Sequence, residues 1–330
     1  MNTQLFYSVG EMTDITNTTA ALFCKDVMEG LQSSPKHLDS KYFYDAKGDQ
    51  LFLEIMNCPE YYLTNAELEI FSEKTHELVE TIAQGDRFDL IELGAGDAMK
   101  STYLLQALLE QQIDFHYVPI DISRNIIDNL SKRLPKALPG LQITGLNGEY
   151  FDMLEQATSL SPNRKVILFL GSNIGNMPLH EAMAFCRKLR GYLSKNDLLL
   201  MGMDLKKNPK TILAAYDDKE GITKRFNLNL LERINRELGG NFITDQFDHY
   251  ATYDPESGAC KSYLISLTNQ SVQIGETAIS FAKDEYIFME ISQKFSFEQI
   301  EALASASGFQ PVRQLFDSGK RFTDVIWTVN

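Results

Sequence analysis

The 330-residue chain predicts an α/β fold: an open, Rossmann-like sheet of mainly parallel strands, joined to a second, smaller α+β domain. Three observations carry that expectation. From about residue 86 to Met203, apolar runs of strand length alternate with helical patterns. A glycine turn, Gly94-Ala95-Gly96, follows the run Leu90-Ile91-Glu92-Leu93, and the next run, Val118-Pro119-Ile120, ends in the carboxylate of Asp121. The length also exceeds what one hydrophobic core usually spans.

In chain order, strands are expected at 88–93, 115–120, 142–146, 166–170 and 198–203, with helices at 100–110, 122–134 and 179–193 between them. Such alternation is the pattern of a parallel sheet. Residues 206 to about 288 read differently. Helical stretches at 211–220 and 222–238 lead to Gly239-Gly240, and strand-like runs follow near 263–267 and 278–281, as in an inserted lid or substrate domain. The tail offers a helix at 297–307 stopped by Gly308, then runs at 312–316 and 322–329 joined at Asp317-Ser318-Gly319-Lys320. That hairpin would close the sheet with an antiparallel strand.

A dinucleotide fingerprint wants a third glycine where the pyrophosphate and a helix approach closely, and Met99 stands in that place. NAD and FAD are thereby disfavoured. Glu92 before the turn and Asp121 after the next strand suit a ligand with a ribose and an amino group but no pyrophosphate, which describes S-adenosylmethionine. Taken alone, the glycine pair also fits an ordinary strand-to-helix turn.

The net charge of −14 argues against a nucleic-acid partner, because phosphate binding wants a basic patch. Residues 1–6 carry no basic region and no long apolar core, and the longest apolar runs are of strand length, so no export or membrane anchoring is expected. Cys24, Cys58, Cys186 and Cys260 are scattered without a CxxC pair and read as reduced thiols in a cytoplasm. His37, His76, His116, His180 and His249 show no metal-binding spacing. Asp245 and His249 read as an exposed pair on a helix face, and the acidic run at 217–220 as a solvated face.

Further motifs are more specific. Phe43-Tyr44-Asp45-Ala46-Lys47-Gly48, Pro59-Glu60-Tyr61-Tyr62, Phe169-Leu170-Gly171-Ser172-Asn173-Ile174-Gly175-Asn176, Ala214-Ala215-Tyr216-Asp217-Asp218, Phe226-Asn227-Leu228-Asn229 and Met289-Glu290-Ile291-Ser292 follow one another in that order. Together they resemble the histidine Nα-methyltransferases of ergothioneine biosynthesis, from about residue 20 to the C-terminus. The resemblance implies a class I S-adenosylmethionine-dependent methyltransferase domain, 66–204 plus 295–330, and a substrate-binding domain, 15–65 plus 205–294.

By that resemblance Gly94, Lys100, Asp121, Glu149 and Tyr150 hold S-adenosylmethionine. Tyr44, Tyr61, Asn176 and Tyr216 hold the amino and carboxylate groups of a free amino acid, and Glu290 and Ser292 hold its imidazole. The implied reaction is in-line transfer of the sulfonium methyl to the α-nitrogen of L-histidine, up to three times, giving hercynine. Tyr44 and Asn176 are the catalytic candidates, since they can orient the neutral amine. No metal is implied, and a monomer is expected.

Two departures stand out. Ser262 takes the place of a methionine beside the substrate side chain, and Leu63 replaces a proline common in the family. A small hydroxyl in place of a thioether reshapes the pocket wall, so a related enzyme acting on another amino acid, such as a tryptophan derivative, stays open. A non-catalytic S-adenosylmethionine-binding protein is the alternative of a different class.

Overall fold

Strands that are apolar on both faces build the sheet of the larger unit, as parallel strands covered on both sides require. The computed structural model describes residues 9–85 and 87–330, with side chains from residue 20 onward, so the expectation drawn from residues 1–6 falls outside it. Read across the sheet, the strands are Gln310–Phe316, Phe322–Thr328, Leu198–Asp204, Arg164–Phe169, Phe88–Leu93, Phe115–Asp121 and Leu146–Asn147. Phe88–Leu93 and Leu198–Asp204 are buried along their whole length.

Pairing is parallel from Leu198–Asp204 across to Leu146–Asn147. Phe322–Thr328 runs antiparallel to Leu198–Asp204, with Phe322 opposite Asp204, and Gln310–Phe316 completes the terminal hairpin. The strand order reverses around Phe88–Leu93, and in open α/β sheets a ligand crevice lies at such a reversal, beyond the carboxyl ends of the strands. The strand expected at 142–146 is paired only at Ile143, opposite Tyr117, before Leu146–Asn147 takes up the ladder. Gly145 interrupts that run, and a glycine inside a strand weakens it.

Side-chain alternation divides this unit's core in two. Leu90, Tyr117, Val166, Leu168 and Leu200 face one apolar layer with Ile70, Leu104 and Leu105. Ile91, Val118, Ile167, Phe169 and Met201 face the other, with Leu154, Cys186 and Leu189. Met99–Glu110, Arg124–Ala137 and Leu179–Arg190 realise the expected helices; Tyr62–Glu73, Thr75–Ile82 and Tyr150–Ser159 are additional.

The chain forms two compact units. The larger comprises Tyr62–Asn208, Pro255–Ala259 and Ser292–Asn330; the smaller comprises Met1–Tyr61, Pro209–Asp254 and Cys260–Ile291. The smaller unit contains a sheet in the order Lys36–His37, Tyr286–Gln293, Ala259–Ser266, Phe247–Tyr253, and a two-stranded ribbon, Gln270–Ile274 with Thr277–Phe281. Phe23, Phe43, Leu51, Phe226, Leu230, Leu264 and Met289 share its core.

Two expectations are corrected here. Asp245 lies in the 3₁₀ turn Thr244–Gln246 while His249 is on the strand Phe247–Tyr253, so they share no helix face. The run at 217–220 is not uniformly solvated, because Asp218 is buried. Its carboxylate accepts from the backbone N–H groups of Ile222 and Thr223, both at 2.7 Å. The helix Ile222–Leu238 starts after Gly221, which has no side chain to cap those orphan donors, and Asp218 does so from three residues upstream. Burial opposes its charge, yet these bonds hold its carboxyl below the usual range.

Candidate active site

The glycine turn is tied to the end of the second parallel strand by two backbone bonds, from Gly94 N–H at 2.8 Å and Ala95 N–H at 3.2 Å to the carbonyl of Ile120. Gly94 has φ +71°, and a β-carbon there would come within 2.8 Å of Tyr150 Oη and 3.2 Å of Asn173 Nδ2. Only glycine leaves that space open. Asp121 ends the second strand; its Oδ2 accepts from Gly96 N–H at 3.1 Å and its Oδ1 from Ser123 N–H at 2.9 Å. It is buried, and that burial raises its pKa.

Glu149 precedes the helix Tyr150–Ser159 as an exposed residue that makes no side-chain cap to it. The Tyr150 ring meets Phe169 edge-on at 5.7 Å, and burial, reinforced by the charges of Asp121 and Glu149, holds its phenol above the ordinary value. Gly94, Asp121 and Tyr150 thus converge at the strand-order reversal. This set fits an adenosyl ligand: a carboxylate that can accept from a ribose diol, an aromatic ring, and a space beside Gly94 that a β-carbon would fill.

Lys100, in the first turn of Met99–Glu110, pairs with the carboxylate of Glu67. Glu67 is buried on Tyr62–Glu73 and also accepts from Gly171 N–H, at 2.8 and 2.9 Å. Room for it exists because residue 202 is glycine, where a β-carbon would overlap Glu67 Oε1. Burial opposes the Lys100 charge, but Glu67 raises its ammonium above the usual value. Asp324 is also buried, and its carboxyl is pushed well above the ordinary range, by burial first and then by the charge of Glu67.

Glu92, which accepts from the Tyr117 hydroxyl, is raised by burial to about 7. A carboxyl raised on folding keeps its proton better in the native state than in the unfolded one. That contribution is present below its ordinary value of 4.5 and is lost as the pH rises through about 7. Glu92→Gln preserves an acceptor for Tyr117. It is expected to gain about 3 kcal/mol on the wild type between pH 4.5 and pH 8, at 1.36 kcal/mol per pKa unit. Denaturant unfolding at both pH values checks this; an equal effect of the substitution at the two would refute it.

The remaining expected residues are divided between the units. In the smaller one, Tyr44 follows the 3₁₀ turn Ser40–Phe43, is exposed, and has its ring edge-on to Phe52 at 5.5 Å and Phe226 at 5.8 Å. Tyr61 and Tyr216 meet edge to face at 6.1 Å, with Tyr216 at the end of the helix Pro209–Tyr216. Glu290 lies on the strand Tyr286–Gln293, beside the buried Met289. In the larger unit, Asn176 closes the 3₁₀ turn Asn173–Asn176 and donates to Asn173 Oδ1 at 3.4 Å. That turn lies against the chain just after Ser292, since a β-carbon on Gly175 would come within 2.7 Å of the Gln293 carbonyl oxygen. Ser292 Oγ accepts from Lys294 Nζ at 2.8 Å.

Residues 23–329 match the model of a family described as histidine-specific, S-adenosylmethionine-dependent methyltransferases. The chain belongs to that family. It is similar to the histidine N-alpha-methyltransferase of Mycolicibacterium smegmatis, 32% identical over 296 residues covering 89% of this chain and 91% of that protein. Likewise, it is 33% identical over 301 residues to the histidine N-alpha-methyltransferase of Mycobacterium tuberculosis, with 90% and 92% covered. Ergothioneine biosynthesis protein 1 of Neurospora crassa is 32% identical over 288 residues, 86% of this chain but 32% of that protein.

The sheet of this methyltransferase, with its one antiparallel strand beside Leu198–Asp204, is the class I architecture expected from the sequence. Glu67, Asp204, Lys294 and Asp324 are buried ionisable groups close to the expected site residues that reading the sequence does not single out. Strand alternation was the available signal for Lys294, which follows Ser292 by two positions. Among the described residues, no helix is long and apolar enough to cross a membrane, and no cluster of three or more His, Cys, Asp or Glu is placed to hold a metal ion.

Proposed function

We propose that this methyltransferase transfers methyl groups from S-adenosylmethionine to the α-nitrogen of free L-histidine, up to three times, to give hercynine. What carries the reading is the family match over residues 23–329, joined by two histidine N-alpha-methyltransferases aligned over about nine-tenths of their own lengths.

Asp121 accepts from the ribose, Glu149 and Tyr150 hold the adenine, Gly94 lets the ligand close on the backbone, and Lys100 faces the methionyl carboxylate across from Glu67. Bound there, the sulfonium supplies an electrophilic methyl group. Tyr44, Tyr61, Asn176 and Tyr216 hold the amino and carboxylate groups of the amino acid. The attacking amine has to be neutral, so Tyr44 and Asn176 orient its lone pair while Tyr44 or an ordered water takes the proton. Glu290 and Ser292 hold the imidazole. Tyrosine faces tolerate the growing trimethylammonium cation by cation–π attraction, which lets methylation repeat. The protein acts as a cytoplasmic monomer on a small molecule.

A second outcome comes from Ser262, buried on the strand Ala259–Ser266 opposite Ala251. A small hydroxyl where the family resemblance places a methionine would reshape the pocket wall and favour another amino acid, such as a tryptophan derivative. The test is mass spectrometry after incubation with S-adenosylmethionine and an equimolar panel of free amino acids. A gain of three methyl groups on histidine is expected, and Glu290→Ala is expected to lower kcat/KM for histidine roughly 10- to 100-fold, the worth of one charged hydrogen bond. Methylation of another amino acid instead moves the specificity; no methylation of any overturns the reading.

A further inference from the structure

Three carboxyls of the larger unit, Glu67, Glu92 and Asp324, act on the single ammonium of Lys100. They arrive on Tyr62–Glu73, Phe88–Leu93 and Phe322–Thr328, and Lys100 on Met99–Glu110. The carboxyls are all buried, whereas Lys100 keeps 21% of its side chain exposed, so the cluster meets solvent at its ammonium. Asp324 is in register with Gly202, the glycine whose missing β-carbon makes room for Glu67 Oε1. Cross-strand partners share a face, so the carboxyls of Asp324 and Glu67 meet above that glycine.

Glu67 accepts from Gly171 N–H and pairs with Lys100. Glu92 accepts from the Tyr117 hydroxyl, and Tyr117 in turn feels the exposed Arg133. Asp324 differs from both: it is wholly buried, and neither of its oxygens has a hydrogen-bond partner among the described residues. A buried carboxyl with no donor takes up a proton rather than carry a charge. One ammonium balances one carboxylate, and its pairing with Lys100 makes Glu67 that carboxylate. The acceptor facing the Asp324 proton is then Glu67. Burial first, and the charge of Glu67 second, push the Asp324 carboxyl well above its ordinary range, as this arrangement requires.

We propose that Asp324 is a positioning residue of the donor site: it and Glu67 hold one proton between them, so that Lys100 carries a single counter-charge and presents its ammonium to the carboxylate of the methyl donor. The inference rests on the proposed placement of the donor's methionyl carboxylate at Lys100. With both carboxyls ionised the cluster would be net negative and would repel that carboxylate. With the proton shared, Glu67 holds Lys100 on one side and leaves the cluster able to take a second anion at its exposed end.

Infrared difference spectroscopy at neutral pH reads the proton directly, as the C=O stretch of a protonated carboxyl. Glu92→Gln serves as the parent, so that the third carboxyl does not contribute. Asp324→Asn is expected to remove one such band, and Glu67→Gln is expected to remove it as well, because Asp324 then ionises to become the counter-charge of Lys100. A band that persists in Glu67→Gln, or no change in Asp324→Asn, overturns the sharing of the proton.

The positioning role is read from the ratio of affinities for S-adenosylhomocysteine and its decarboxylated analogue, measured on one preparation so that loss of folded protein cancels. A preference of about tenfold for S-adenosylhomocysteine is expected in the wild type, the worth of one charged hydrogen bond, and Lys100→Met is expected to abolish it. Asp324→Ala is expected to lower the preference at least threefold, and Asp324→Asn to restore it, since its amide gives Glu67 an N–H in place of the shared proton. An unchanged preference in Asp324→Ala, or an equal loss in alanine and asparagine, defeats this inference alone. No preference in the wild type removes the donor carboxylate from Lys100 and defeats that part of the proposed function with it.

Discussion

Asp121→Ala is expected to weaken S-adenosylhomocysteine binding about 100-fold, the loss of two charge-assisted hydrogen bonds at about 1.5 kcal/mol each. The carboxylate stands at the end of the second parallel strand, buried, and is aimed by the backbone N–H groups of Gly96 and Ser123. Those two bonds preorganise it, so a ribose diol bound as proposed would meet an acceptor already in place. Asp121→Asn keeps an oxygen for one of the two backbone donors but gives up the charge, and it is expected to fall between wild type and alanine. Calorimetric titration measures the affinities, and the melting temperature of the free protein separates a lost contact from a disturbed turn. Binding within threefold of wild type in the alanine variant would remove Asp121 from the donor site.

A pH dependence accompanies this. Because burial raises the Asp121 pKa, the acceptor form is lost at higher pH than for an exposed aspartate. Affinity for S-adenosylhomocysteine should therefore fall on acidification, starting above the ordinary carboxylate range, and Asp121→Asn should flatten that fall.

Glu67→Ala is the largest expected loss of stability, about 3 kcal/mol, because removing one partner of a buried ion pair leaves the other without its counter-charge. For a unit of this size that corresponds to a fall in melting temperature of roughly 10 °C. Lys100 loses its partner, and Gly171 N–H loses the acceptor it uses at 2.8 and 2.9 Å. The cavity over Gly202 deepens the loss. One effect opposes it: without the charge of Glu67, the Asp324 carboxyl returns toward its ordinary range and can face Lys100 itself. Glu67→Gln keeps an acceptor for Gly171 and should lose less than alanine. A melting temperature within 2 °C of wild type in Glu67→Ala would show that the cluster does not support the fold.

Much of the fold around the candidate site is legible in the sequence alone. The strand, glycine turn, strand and Asp121 follow from runs whose character depends on near neighbours alone, and the tail hairpin follows from two apolar runs around Asp317-Ser318-Gly319-Lys320. The ordered motifs around Tyr44, Tyr61, Asn176, Tyr216, Glu290 and Ser292 carried the family resemblance for the same reason, since each is a local string. Where local reading failed, a distant partner was responsible. The 217–220 run looked solvated because nothing nearby shows that Asp218 must cap a helix beginning at a glycine. Asp245 and His249 fit helical spacing equally well as text, but Phe247–Tyr253 pairs with Ala259–Ser266 and becomes a strand.

The sequence by itself determined the parallel sheet, its ligand end and the class of ligand, because apolar periodicity and glycine turns are set by residues a few positions apart. Tertiary structure alone decided the ionisation of the buried groups. Glu67 meets Lys100, and Asp204 meets Lys294, only after strands and helices far apart in the chain have packed. A carboxyl's charge state depends on the burial and neighbours that packing creates, and no local pattern of residues encodes either.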